Sequence, residues 1–141
     1  IEYKVHNFNS EDIPSGSQAA DILRIEHGRM FKTLVTVAKS GAHYVYMIPV
    51  DCELDLKKAA VCAHEKSVEM LKSKDLLPLT GYIHGGCSPI GMKKPFPTFL
   101  HKTAQNYDTI VFSGGRVGHM VEVSPEGLLK IVKYTVADIT V

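Results

Sequence analysis

The alternation of polar and apolar residues predicts strands along much of the chain. In Ile1–Phe8, charged or polar side chains alternate with apolar ones, which is typical of a strand at the edge of a sheet. Phe31–Ala38 and His43–Val50 are longer runs rich in apolar and β-branched residues, and the four residues between them include Gly41. This arrangement predicts a hairpin in the central sheet, because a short connection that contains glycine reverses the chain between two buried strands.

The remaining segments predict further short strands and helices. Five more runs have strand character: Val68–Leu71, Phe96–His101, Thr109–Phe112, Met120–Val123 and Tyr134–Ile139. Four helices are predicted: Ala19–Leu23 with Ser17 as its N-cap, Leu56–His64, Lys74–Leu79, and one that begins at Ser124-Pro125-Glu126. Because strands and helices do not alternate regularly, we expect one α/β domain over residues 1–141. It would hold a mixed β-sheet curved toward a barrel, with short flanking helices and no Rossmann fold.

Composition and charge are those of a globular protein. Apolar residues make up 45% of the chain and charged residues 22%. The apolar runs are too short to span a bilayer, so we expect no membrane contact and a cytoplasmic location. The chain opens at Ile1 and not at methionine, so we expect that residues precede it. A net charge of +1 is too small for a long phosphate track, which predicts that any contact with RNA is local.

The sequence offers no familiar metal, cofactor or nucleophile motif. Its three cysteines show no C-x-x-C spacing, and its seven histidines show no H-x-x-x-H spacing. Walker and G-x-G-x-x-G loops are absent, and Ser88 lies in G-C-S-P-I-G rather than in a nucleophile elbow. Cys87 is a candidate nucleophile by residue type, but no histidine partner is identifiable for it. We therefore expect no metal and no cofactor.

The segment from Thr80 to Lys94 is the most unusual part of the chain. Four glycines and a proline fall between Gly81 and Gly91, a density that excludes a regular helix or strand. Adjacent glycines such as Gly85 and Gly86 allow backbone N–H groups to face inward and bind an anion, for example an ester oxygen or a phosphate. A tight connection without a ligand remains the alternative.

Two further features are candidates for the same site. Ser113-Gly114-Gly115-Arg116 follows the predicted strand Thr109–Phe112 and places a hydroxyl and free N–H groups at a strand exit, although a simple hairpin explains it equally well. Lys32 stands in F-K-T-L, at the start of a strand that is otherwise apolar. A lysine there either extends to solvent from the sheet edge or supplies a cation to a pocket.

Three motifs together resemble the YbaK/EbsC family of aminoacyl-tRNA deacylases. They are F-K-T-L at 31–34, T-G-Y-I-H-G-G-C-S-P-I-G-M-K-K at 80–94 and S-G-G-R at 113–116. The resemblance extends over nearly the whole chain in order and spacing, and G-G-x-S-P-x-G is its most specific part. The family is related to the editing domain inserted in bacterial prolyl-tRNA synthetases, and its fold is a mixed, barrel-like α/β sheet.

The resemblance implies a trans-editing hydrolase that removes a wrongly attached amino acid from tRNA, with Cys-tRNA(Pro) as the expected substrate. It gives Lys32 the catalytic role. It implies contacts to the aminoacylated 3' end of the tRNA from the following residues: Phe8, Ser15, Thr33, Gly85, Gly86, Ser88, Ser113 and Gly114. Prolyl-tRNA synthetase is the implied protein partner. Members that act on cysteinyl-tRNA use the thiol of the substrate as the nucleophile, which agrees with a sequence that has no catalytic triad.

Several positions depart from the family members that act on cysteine. Phe8 stands where tyrosine is common, Ser15 near a position that a bulky aromatic can occupy, and Met120 where an aspartate occurs. Amino-acid specificity therefore stays open, and Ala-tRNA(Pro) is the alternative substrate. A non-catalytic module that binds a tRNA end or a synthetase is the alternative from a different functional class.

Overall fold

The computed structural model describes residues 1–9 and 14–141. Eight strands are present in these ranges: β1 (Tyr3–Asn7), β2 (Phe31–Ala38), β3 (His43–Pro49), β4 (Val68–Met70), β5 (Thr98–His101), β6 (Ile110–Arg116), β7 (His119–Val123) and β8 (Tyr134–Ala137). The helices there are α1 (Gly16–Leu23), α2 (Leu56–Cys62), α3 (Ser73–Thr80) and α4 (Pro125–Leu129). Two 3₁₀ turns, at His27–Arg29 and Lys102–Asn106, were not predicted.

The strands form two sheets that meet near the start of β2. The smaller sheet has the order β1-β7-β6 and is antiparallel throughout. The larger has the order β4-β2-β3-β5-β8 and is mixed, because β5 runs parallel to both of its neighbours. A single bridge between Met30 and Val111 links the two sheets. The predicted mixed α/β fold with short helices is confirmed, but the described strands do not close into one barrel.

Apolar side chains fill the space on both faces of the larger sheet. Phe31, Met47 and Leu100 pack against Phe112 and Val123 of the smaller sheet. On the opposite face a second cluster packs against α2, and its main members are Tyr46, Ile48, Phe99, Ala59, Ala60 and Ile139. The two-residue period of β3 explains this division, since Met47 points to one face while Tyr46 and Ile48 point to the other.

Two local predictions need correction. The N-cap of α1 is Ser15 and not Ser17, because Ser15 and Gln18 form a capping box in which each side chain bonds the backbone N–H of the other. The second glycine pair does not end its strand. β6 continues to Arg116 through an irregularity in its pairing with β7 between Ser113 and Arg116, and the turn follows at Val117-Gly118.

Most other elements form where the sequence pattern predicted them. β1 is an edge strand, and β2 and β3 form the predicted antiparallel hairpin. Ser124 caps α4, with Pro125 at its first position. No helix among residues 1–9 and 14–141 is long and apolar enough to cross a membrane.

Candidate active site

A cavity of about 370 Å³ lies along one edge of β2. β4 pairs with β2 only at Thr36–Ala38, so within the described chain the edge of β2 at residues 31–34 has no strand partner. All residues from Met30 to Val35 line the cavity. The site therefore exists because β4 is short, and the gap it leaves beside β2 is not filled by another strand.

The backbone of Thr33 faces this open edge. Leu71 N–H donates to Val35 O at 3.0 Å, and Val45 N–H donates to the Pro97 carbonyl at 2.9 Å. The N–H and C=O groups of the opposed pair Val35 and Val45 thus point away from each other. Since this pattern repeats every second residue, the N–H and C=O of Thr33 also point away from β3. A backbone donor and acceptor are thereby presented at the cavity.

Lys32 brings a cation to the cavity wall. It lies opposite Ile48 in the β2–β3 register, and the pairing continues past β3 because Val50 N–H donates to Met30 O at 2.9 Å, so the Lys32 side chain shares a sheet face with Ile48 and Val50. No ion pair or hydrogen bond of the Lys32 ammonium is formed with any residue in 1–9 or 14–141. Its charge still acts on a neighbouring carboxylate, because it helps to lower the pKa of Asp51 after the hydrogen bonds from Ser17 and His27.

The Thr33 hydroxyl is a second polar group without a partner. Its Oγ1 is buried and forms no hydrogen bond within the described part of the chain. A buried polar atom that stays unsatisfied costs about 1–3 kcal/mol. Thr33 lines the cavity, so a bound substrate would be able to supply the missing bond.

The N-terminal part of the chain forms the opposite wall. Phe8 and Ser15 both line the cavity, as predicted for substrate contacts. Phe8 is held by a backbone bond from its N–H to Gly118 O at 2.9 Å, and the Ser15 hydroxyl caps α1. The stretch of residues 9–16 is rich in turn-forming residues, and its residues 10–13 lie outside the described ranges.

The glycine-rich segment forms a third side of the cavity. Gly85 and Gly86 were its two predicted N–H donors, and the structure places them differently. Gly85 lines the cavity. Gly86 is buried behind it, and its N–H donates to Ile83 O at 3.0 Å. A Cβ on Gly86 would lie 3.0 Å from Arg116 Cα, so glycine there lets this segment touch the β6–β7 turn backbone to backbone. Gly86 thus packs the two glycine-containing segments together.

The other three predicted contacts divide in the same way. Ser113 is buried and lines the cavity. Ser88 and Gly114 do not line the cavity. The Ser88 hydroxyl accepts a hydrogen bond from Ile90 N–H at 3.2 Å, and Gly114 packs against Val121. The structure therefore brings Lys32 together with five of the predicted contacts, which are Phe8, Ser15, Thr33, Gly85 and Ser113.

Cys87 also lines the cavity, but its environment opposes a nucleophilic role. Its side chain is buried, and burial raises the pKa of the thiol to about 12. A thiolate is the reactive form of cysteine, so this residue is almost entirely unreactive near neutral pH. Cys87 contributes a small apolar surface to the wall.

Sequence reasoning missed a charged group beside the cavity. Asp51 follows β3, and its carboxylate accepts hydrogen bonds from Ser17, which lines the cavity, and from His27. These two hydrogen bonds lower the pKa of Asp51. No sequence motif joins these residues, which come together only when α1 packs on the end of β3. The exposed His84 also lines the cavity, and its place in the glycine-rich segment was the available signal.

Comparison with protein families gives a match that spans most of the chain. The model of the aminoacyl-tRNA editing domain matches residues 10–131. Strands β1 and β8 lie outside this range, but β1 pairs with β7 and β8 pairs with β5. Both strands therefore complete the sheets of the matched region.

Individual relatives agree with this family. The chain is 50% identical over 141 residues to EbsC of Enterococcus faecalis (strain ATCC 700802 / V583), a proposed Cys-tRNA(Pro)/Cys-tRNA(Cys) deacylase, covering 99% of this chain and 86% of that protein. A crystal structure of a proposed trans-editing enzyme for prolyl-tRNA synthetase superposes with a TM-score of 0.88 at 26% identity, covering 99% and 87% of the two chains. The hypothetical protein APE2540 superposes with a TM-score of 0.90 at 22% identity, covering 100% and 93%, and shows the shared fold.

Proposed function

The chain belongs to the family of aminoacyl-tRNA editing domains, and from this premise we propose that it deacylates mischarged tRNA, with Cys-tRNA(Pro) as its preferred substrate. The whole of residues 1–141 acts as one editing domain. The 50% identity to EbsC supports this substrate, since that relative is a proposed deacylase of Cys-tRNA(Pro) and Cys-tRNA(Cys). Such an activity is useful because an apolar synthetase pocket separates amino acids of similar size by only about 1–3 kcal/mol.

One observation carries the proposal: among residues 1–9 and 14–141, the cavity offers polar groups that lack partners and no activated nucleophile. Within the described chain Lys32 and the Thr33 hydroxyl have no hydrogen-bond partner, and the Thr33 N–H faces the same space. The Cys87 thiol has a pKa of about 12 and stays protonated. A site of this composition can hold and polarise an ester, but it needs its nucleophile from elsewhere.

Cys-tRNA brings such a nucleophile. In the proposed reaction the thiol sulfur of the substrate attacks its own ester carbonyl, so a C–S bond forms and the bond to the ribose oxygen of the tRNA breaks. The thiol proton goes to solvent, and the departing ribose oxygen takes up a proton. Water then opens the cyclic thioester and releases cysteine. The protein contributes geometry and stabilisation of the oxyanion, which can supply most of the acceleration for an ester that is already activated.

Lys32 is the residue that we assign to stabilising negative charge. Its ammonium is the cation contributed by the strand that forms the cavity wall. The negative charge is either the oxyanion that develops during thiol attack or the phosphate of the terminal nucleotide. The Thr33 N–H, directed at the open edge, is the backbone donor best placed to assist it.

The aminoacyl group would lie against the apolar part of the cavity. Phe8, Met30, Val50 and Met120 line this part. Apolar walls suit the side chain of cysteine and offer no carboxylate to a larger polar residue. Met120, in place of an acidic residue, is consistent with selection by size.

We also propose that the partner is prolyl-tRNA synthetase and that both act in the cytoplasm, where charged tRNA is used. The net charge of +1 predicts weak binding of free tRNA, so a synthetase that delivers the mischarged tRNA would increase the local concentration of substrate.

Parallel deacylation assays on Cys-tRNA(Pro), Ala-tRNA(Pro) and Ser-tRNA(Pro) test the proposal. We expect Cys-tRNA(Pro) to be hydrolysed at least about a hundredfold faster than in buffer. Ser-tRNA(Pro) should react far more slowly, since a hydroxyl replaces the thiol while the size is similar. If Ala-tRNA(Pro) is hydrolysed faster than Cys-tRNA(Pro), the nucleophile is a bound water and not the thiol of the substrate. If none of the three is hydrolysed faster than in buffer, the protein is a binding module.

A further inference from the structure

A bridge of charged side chains connects α1 to the rest of the protein beside the cavity. His27 Nδ1 lies 2.7 Å from Asp51 Oδ2, and His27 Nε2 lies 2.7 Å from Asp21 Oδ1. A neutral imidazole has one N–H and can donate to only one of these carboxylates. Both contacts are satisfied as hydrogen bonds only when both ring nitrogens carry protons, so this geometry requires His27 to be a cation.

The bridge joins three separate segments. Asp21 lies on α1, His27 lies in the 3₁₀ turn that follows, and Asp51 lies two residues after the end of β3. Ser17, also on α1, donates a hydrogen bond to Asp51 Oδ1. Helix α1 is thus attached to Asp51 twice, once directly through Ser17 and once through His27.

The attached helix is a wall of the cavity. Ser15, Gly16, Ser17 and Ala19 line it. A Cβ on Gly16 would lie 2.5 Å from Val50 Cγ1, so α1 sits in close contact with the end of β3. An eight-residue helix has little stability alone and depends on such contacts for its position. Because Val50 shares a sheet face with Lys32, the position of α1 sets the width of the space in front of Lys32.

We propose that His27 is a positioning residue for deacylation: its protonated imidazole holds α1 against the end of β3 and so fixes the wall opposite Lys32. The inference rests on the proposed function, since it concerns the same cavity. It predicts that the wall is held while His27 is protonated and is released as the pH rises through the pKa of His27.

The charges around His27 give the direction of this dependence. Hydrogen bonds to Asp21 and then to Asp51 raise the pKa of His27. The charged groups that face it are Asp21 from α1 and Asp51 from the end of β3, while Lys32 on β2 acts on Asp51. A raised pKa means that the bridge is complete below this pKa and is lost as the pH rises through it.

Three variants isolate the charge of His27 from its size. His27→Arg keeps a cation that donates to both carboxylates at every pH, and His27→Gln removes the cation at every pH. Asp21→Asn removes one of the two carboxylates from a side chain that is 73% exposed, so it lowers the pKa of His27 with little risk to folding. Single-turnover deacylation of Cys-tRNA(Pro) and hydrogen-exchange protection of the α1 amides are measured from about pH 6 to about pH 9.

We expect the rate of the wild type relative to His27→Arg to be near one at about pH 6 and to fall about tenfold by about pH 9. The midpoint of this fall should move to lower pH in Asp21→Asn. His27→Gln should be about tenfold slower than His27→Arg across the range. Hydrogen-exchange protection of the α1 amides should follow the same pattern. Because the rates of the variants are compared at equal pH, the titration of the substrate cancels from their ratio.

The two readouts separate failure of this inference from failure of the proposed function. The positioning role alone would be overturned if the wild type deacylates tRNA but the ratio of its rate to that of His27→Arg is the same at every pH. The midpoint would then not move in Asp21→Asn, and the protection of α1 would not depend on pH. A different result is also informative: the protein shows no deacylase activity, but the protection of α1 still follows the titration of His27. In that case the bridge is a structural device, and both its role in catalysis and the proposed function are overturned.

Discussion

The cavity beside β2 differs from a second polar cluster, at the other end of the larger sheet, in how its polar groups are satisfied. In this C-terminal cluster Tyr46 Oη donates to Ala59 O at 2.8 Å, Lys58 Nζ donates to Thr140 O at 2.9 Å, and Ile139 N–H donates to His101 Nδ1 at 3.2 Å. In the cavity, the Thr33 hydroxyl forms no hydrogen bond and Lys32 forms no ion pair with any residue in 1–9 or 14–141.

The difference separates two uses of polar groups. Where the chain supplies its own partners, a polar group contributes to stability and specifies how segments pack. Where a buried group such as the Thr33 hydroxyl lacks a partner in the described chain, the protein tolerates a cost of about 1–3 kcal/mol, which a ligand can remove. Substitutions in the cavity should therefore change the reaction and leave stability intact, and substitutions in the C-terminal cluster should do the reverse.

Lys32→Ala is the largest expected break in this comparison. Loss of a charge that stabilises the oxyanion or orients the substrate should slow single-turnover deacylation of Cys-tRNA(Pro) by about 3–4 kcal/mol, or more than a hundredfold. The free energy of unfolding should change by less than about 0.5 kcal/mol. The exposed Lys39, at the end of the same strand, gives the matched control: Lys39→Ala should change neither quantity. A Lys32→Ala variant that keeps more than about a tenth of the wild-type rate would show that this lysine only extends to solvent.

Thr33→Val should sharpen the comparison by removing an unsatisfied hydroxyl. The rate should fall by about tenfold if substrate bonds to this hydroxyl, while stability stays equal or rises, because the variant no longer buries an unpaired polar atom. Thr103 provides the matched control, since its Oγ1 is also buried without a partner in the described chain but does not line the cavity. Thr103→Val should reproduce the effect on stability and leave the rate unchanged. Equal rates for both valine variants would remove Thr33 from the site.

His101 provides the reverse test in the C-terminal cluster. Burial lowers the pKa of His101 below its ordinary value, so the unfolded chain takes up the proton first. Stability is therefore retained above the unfolded pKa and lost as the pH falls through it. Chemical denaturation of wild type and His101→Gln across this range should give a difference that shrinks toward acid pH. Deacylation at neutral pH should be alike in both proteins, and a pH-independent difference in stability would contradict the assignment.

Cys87→Ala should have the smallest effect on the rate, although Cys87 lines the cavity. A thiol with a pKa of about 12 supplies almost no thiolate near neutral pH, so we expect the rate to stay within about threefold of wild type. Single-turnover measurements beside melting curves check this. Loss of activity to background with the fold preserved would give Cys87 the nucleophilic role.

Much of the fold was predictable, because the signals that specify its strands are local. The apolar, β-branched runs Phe31–Ala38 and His43–Val50 predicted the central hairpin, and the two strands pair throughout. The cap of α1 was misplaced although its signal was present, since Gln18 stands three residues after Ser15 in the spacing of a capping box. The division into two sheets was not predictable, because it depends on which distant strands pair, such as β1 with β7 and β3 with β5, rather than on any local pattern.

The site was predictable only in part, for a related reason. Residue pattern alone left Lys32 and both glycine-containing segments with alternatives, and the family resemblance brought them together. Gly86 was expected to bind substrate, but its N–H is used by Ile83 and its missing side chain allows a close backbone contact. His27 and Asp51 were missed because 24 residues separate them and only the packing of α1 brings them into contact.

The central claim is that this cavity hydrolyses an aminoacyl ester without a protein nucleophile. The most direct test mixes an excess of the protein with Cys-tRNA(Pro) labelled in its cysteine, quenches in acid over time, and follows the label on tRNA, on protein and in free cysteine. The account predicts that the label leaves tRNA at least about a hundredfold faster than in buffer and never appears on the protein. Label that accumulates on the protein before cysteine is released, or a rate no faster than in buffer, would contradict it.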